Sequence, residues 1–318
     1  MGKASILAAC VVALACLPMF AQETMDLDTA LSFFDVGDVI RIEYSDAGRA
    51  DLEGIVEAFR VALGVPDDLD ETNEDRVEEL PVALELKDVI NKLSQAYYTL
   101  ANVFMGGEDD EKKTYTKGKQ WGFKSLRMNP DFVAIEGSDG FVAAVDQETD
   151  LQALYWANSN WLRVAEFDVA AAVRGQIPPK AKAIAERTME LAPEYMFYGS
   201  YRSLAAFWSG LPSDPFSPIL IGGLRQNYPT SLSYLCPLVD EREICSENDG
   251  LIDPICVGYF ENRTFLAEFY LMPLDFWEDA ARILQSVLDE EIGDAYPLMN
   301  AYAQENAQTL LDEVNENL

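Results

Sequence analysis

Apolar residues recur at intervals of three, four and seven along most of the chain, and few segments alternate with period two. That spacing marks amphipathic helices rather than strands. Ala50, Ile55, Phe59, Ala62 and Leu63 share one face, and Gly64 and Pro66 stop that helix. Asp67 to Glu79 is acid-rich and reads as a solvated loop, without the central glycine and terminal glutamate of a calcium-binding EF-hand. A long striped helix is predicted from Leu80 to Phe104, with Gly106 to Asp110 as the turn after it. Tyr115 to Met128 forms the next helix, ended by Asn129-Pro130. Gln152 to Val173, Lys180 to Leu191 and Tyr198 to Trp208 follow. Residues 209–257 carry many prolines and read as a long irregular insertion. Helical spacing resumes over Tyr259 to Met272, Leu274 to Leu288 and Leu298 to Val314. The expected fold is all-α, with one helical domain over residues 22–318.

An internal echo refines that expectation. Gly118, Gly122 and Ser125 precede Pro130 at the same offsets at which Ala181, Ala185 and Thr188 precede Pro193, and an acid and an aromatic follow each proline (Asp131 and Phe132, Glu194 and Tyr195). Small residues that admit a partner helix, then a proline stop, are the mark of the second helix of a tetratricopeptide repeat. The two copies lie 63 residues apart, so the repeats carry insertions. The expectation is an α-α superhelix of tetratricopeptide-like helical hairpins, in which each pair buries its apolar face on its neighbours.

The N-terminus bears on compartment. Lys3 is followed by an apolar run to Phe20, with Met19-Phe20-Ala21 as a small-residue cleavage site. Residues 1–21 therefore read as a signal peptide, and export is expected. Leu7-Ala8-Ala9-Cys10 and Ala13-Leu14-Ala15-Cys16 approximate a lipobox, and Cys16 is the better-placed lipidation candidate. Three further cysteines, Cys236, Cys245 and Cys256, fall within 21 residues of each other. Export permits one local disulfide among them, with any of three pairings and one thiol left over. Their spacings of nine and eleven do not match paired metal-binding knuckles.

Several stretches together resemble the TatT family, the tetratricopeptide-like periplasmic components associated with tripartite ATP-independent periplasmic (TRAP) transporters. They are Ala96-Tyr97-Tyr98 with Phe104, Leu126-x-x-Asn129-Pro130-x-Phe132, Leu154-Tyr155-Trp156 with Trp161, Pro193-x-Tyr195 with Gly199-x-Tyr201-Arg202, and Asn300-x-x-Ala303 with Leu310-Leu311. The similarity spans most of residues 45–314 and departs over residues 212–257. It implies an exported, often lipid-anchored helical protein that docks a periplasmic substrate-binding protein, assembles as a homo-oligomer (trimers in the family), and holds or relays a small organic-acid or apolar ligand. A ligand-free scaffold of helical repeats is the rival reading.

Composition narrows the chemistry. The chain has 23 basic and 55 acidic side chains, a net charge of −32 and no histidine. Nucleic acid is excluded as a partner, because phosphate binding requires clustered Lys and Arg. The missing histidine removes Ser–His–Asp, Cys–His and histidine-metal sites. No glycine-rich phosphate loop with its lysine occurs, and no carboxylate pair stands out by spacing. The expectation is a binding protein, not an enzyme, with no cofactor and no metal. The candidate ligand-binding residues are Tyr155, Trp156, Tyr201 and Arg202, read as aromatic walls with a guanidinium fork for a carboxylate.

Overall fold

The computed structural model describes residues 25–35, 38–246 and 252–318. The expected signal peptide over residues 1–21 and the lipidation candidate Cys16 lie outside these residues. Among them there is no β-strand, and an isolated bridge joins Phe34 to Ile40. The core helices are α1 (Asp46–Ala62), α2 (Lys87–Thr99), α3 (Glu108–Arg127), α4 (Leu151–Glu166), α5 (Ile177–Leu191), α6 (Tyr195–Gly210), α7 (Glu261–Leu266), α8 (Trp277–Leu288) and α9 (Pro297–Asn317). No helix of the described residues is long and apolar enough to cross a membrane.

Small residues decide how the middle helices meet. Helices α2, α3 and α4 pack in succession, and α5 packs on α4 and α6. A Cβ at Gly122 would stand 2.6 Å from the Ala157 backbone, so glycine is what lets α3 lie against α4. Ala181, Ala185 and Thr188 are buried on α5 in the same way. Caps fix the ends: Ser45 accepts from the Gly48 N–H at 3.1 Å to start α1, and Asp150 accepts from the Ala153 N–H at 3.0 Å to start α4. The N-terminal core gathers around Phe59, Ile90 and Trp121, the middle around Leu126, Phe132 and Leu154, and the C-terminal one around Phe260, Ile283 and Val287.

Several expected boundaries shift. The acidic stretch 67–79 contains a helical turn, Glu74–Glu78, started by the Asn73 side chain. The single helix expected over 80–104 is a 3₁₀ turn (Leu84–Leu86), α2, and then a π-helical turn (Leu100–Phe104). Gln152 to Val173 breaks after Glu166, where Asp168 caps a new helix, Val169–Arg174. Tyr259 to Met272 likewise becomes α7 followed by a π-turn, Ala267–Leu271. The insertion over 209–257 is not wholly irregular: it holds Ser217–Leu220, Tyr228–Leu235 and two 3₁₀ turns. A disulfide joins Cys236 to Cys245, and Cys256 is a buried free thiol.

Candidate functional site

A cavity of about 390 Å³ lies among α2, α4, α6, α7 and α9 and the two π-turns. Tyr98, Trp156, Phe265 and Tyr302 supply much of its aromatic wall. Five charged side chains also line it: Arg163 and Glu166 from α4, Arg202 from α6, Glu261 from α7, and Glu268 from the second π-turn. The widened turn re-aims side chains relative to a regular helix, and such turns recur at functional sites. Here each of the two contributes a polar group to the same wall, Asn102 from one and Glu268 from the other.

Tyr155 and Trp156 both reach the cavity although adjacent residues on a helix point about 100° apart. They do so with rings perpendicular at a 4.8 Å centroid separation, Tyr155 turned toward Tyr195 and Trp156 toward Tyr98. Gly199 is required beside them, because a Cβ there would collide with the Tyr155 hydroxyl. Burial raises the Tyr155 hydroxyl pKa, and the neighbouring Arg202 charge works in the other direction.

Arg202 lines the cavity, but its donors are committed to the protein. Its Nη1 donates to the Phe197 carbonyl at 2.5 Å and to Asn262 Oδ1 at 2.9 Å, and its Nη2 to the Met196 carbonyl at 2.8 Å. Its Nε pairs with Glu261 at 3.1 Å. No pair of donors is left for the bidentate fork expected from the sequence. The guanidinium instead secures a strained stretch. Met196, Phe197 and Tyr198 all have left-handed backbone, with φ of 48°, 55° and 62°, a conformation costly for residues with side chains. Tying down two of their carbonyls holds Met196 and Phe197 at the cavity wall.

Tyr201 is elsewhere. One step along α6 from Arg202, it packs against Tyr198 and Tyr234 in the C-terminal core and does not line the cavity. Of the four residues proposed from the sequence, the fold brings Tyr155, Trp156 and Arg202 together.

The polar groups that sequence reasoning passed over form a chain along one wall. Tyr115 donates to Asn102 Oδ1 at 3.1 Å and accepts from Arg163 Nε at 3.3 Å, and Arg163 Nη1 donates to Glu166 at 2.7 Å. Glu166 keeps 49% of its side chain accessible. Glu166 also lines the cavity, and desolvation raises its carboxyl pKa while the Arg163 charge opposes the shift. Glu268 has no Lys or Arg nitrogen within ion-pair distance among the described residues. Burial lifts its carboxyl to about 7; Arg163 and a hydrogen bond from Asn306 oppose the shift, and Glu166 and Glu261 add to it. A lone carboxylate inside the apolar run Ala267-Glu268-Phe269-Tyr270-Leu271 was the available signal.

The Cys256 thiol is pushed up to about 11 by burial and by Asp253, so it holds its proton at neutral pH. No group of three or more Cys, Asp or Glu among the described residues is placed to hold a metal ion. Compared with protein families and with curated proteins, the chain matches no family model and no curated sequence.

Proposed function

We propose that the protein is an exported binding protein built from tetratricopeptide-like helical hairpins, serving as an accessory component of a TRAP-type uptake system. It docks a periplasmic substrate-binding protein and holds a small ligand in the internal cavity. The observation that carries the ligand-binding half is the cavity itself: about 390 Å³, walled by aromatic rings, with a few polar groups on one side. That volume and that lining suit a small ligand with a largely apolar body and a polar end. The successive packing of α2, α3, α4 and α5, with Gly118 and Gly122 of α3 against α4, supports the repeat reading. The leader-like N-terminus and the family-like motifs support the location and the partner.

The test has two arms. Native mass spectrometry of protein purified from its periplasm should show a retained small molecule, lost when the cavity is filled by Ser159→Trp. Titration against periplasmic substrate-binding proteins of TRAP systems from the same cell should give a saturable complex with one of them. A protein empty in every preparation that still bound protein partners would return the chain to the ligand-free scaffold reading.

A further inference from the structure

The charges on the cavity wall do not cancel. Arg163 is matched by Glu166 at 2.7 Å and Arg202 by Glu261 at 3.1 Å. Glu268 is left over. The charged and polar groups that act on it are Arg163 and Glu166 from α4, Glu261 from α7, and Tyr302 and Asn306 from α9. None of them is an unpaired cation.

In a partly buried space with an apolar wall, a carboxylate without a counter-charge is costly and attracts the opposite charge. A ligand carboxylate would meet the reverse situation. Arg163 keeps N–H groups to spare, but an anion placed on them would stand beside both Glu166 and Glu268. The aromatic wall adds to the same preference, because ring faces attract cations. A separate acceptor points the same way. Gln95 also lines the cavity, is 2% exposed, and has its Oε1 without a donor, while its Nε2 is anchored on the Asp38 carbonyl.

We propose that the ligand is an organic ammonium ion, a protonated amine with an apolar body, whose charge is met by Glu268 and whose body lies against Trp156, Phe265 and Tyr302. This rests on the cavity being the ligand site, and it replaces the organic acid expected from the sequence. Because binding a cation favours the ionised carboxylate, affinity rises as Glu268 loses its proton.

Three probes with one carbon skeleton test it: hexylamine, hexanol and hexanoate, titrated calorimetrically into the purified protein. Hexylamine stays protonated at pH 8, like a lysine side chain. It should bind about tenfold or more tighter than either other probe, as expected for one charge pair formed at a partly buried carboxylate. The advantage over hexanol should shrink at pH 5.5. Glu268→Gln should abolish it while leaving hexanol binding in place. Wild-type selectivity and its pH dependence decide the matter even if that variant folds poorly. Hexanoate binding tightest, or a hexylamine advantage that survives in Glu268→Gln, overturns the ammonium assignment and leaves the cavity as a ligand site. If none of the three binds, the ligand-site reading falls with it.

Discussion

Replacing Glu268 by Gln should stabilise the ligand-free protein, and only above the pH at which the glutamate ionises. The substitution keeps the shape of the side chain and an oxygen for Asn306, and it removes the charge. Burial holds the carboxyl near 7 in the folded state, against an ordinary value of 4.5. The folded protein therefore holds this proton more tightly than the unfolded chain does. Stability from the neutral acid is fully present below 4.5 and is lost as the pH rises from there through 7. The gap corresponds to roughly 3 kcal/mol once both states are ionised, at about 1.4 kcal/mol for each tenfold change in proton affinity. For a chain of this size 1 kcal/mol moves the melting temperature by about 2 °C, so the variant should melt roughly 5 °C higher at pH 8. At pH 4.5 the two proteins should melt together. Scanning calorimetry across that range, in molar salt to screen the net charge equally, measures the difference directly. A constant offset at both ends of the range, or a variant less stable at pH 8, would show that Glu268 is not a desolvated, unmatched carboxylate.

Arg202→Ala should lower stability by about 3–5 kcal/mol at neutral pH, because it strands buried Glu261 and frees the carbonyls that hold residues 196–198 left-handed; thermal melts check this, and an unchanged melt would return Arg202 to a ligand-facing role. Breaking the Cys236–Cys245 disulfide, which closes a separation of 9 residues, should cost roughly 2.5 kcal/mol in the chain-entropy view. In protein lacking residues 1–21, thiol titration after unfolding should find one thiol before reduction and three after it. With a net charge of −32, melting temperature should rise with NaCl well past physiological strength as self-repulsion is screened, and a flat profile from dilute buffer to molar salt would contradict it.

Most of the helices were legible because an amphipathic stripe is a local property. The apolar faces of α1, α3 and α8 can be counted off at intervals of three and four, and prolines and glycines mark the stops. That some helix comes close to α3 was legible too, since Gly118 and Gly122 signal a missing volume on one face; that the helix is α4 was not. The cavity was not. Its walls come from helices far apart in sequence, and which side chains face a common space depends on how those helices stack. Two π-turns and three left-handed residues then rotate Asn102, Glu268, Met196 and Phe197 out of the positions a regular helix would assign. Arg202 shows the limit most plainly. As a residue it promised a fork for a carboxylate, and Glu261, 59 positions away, takes that place in the fold. Local spacing determines which faces are apolar; charge matching is a property of neighbours in space, and only chain packing decides which carboxylate is left without one.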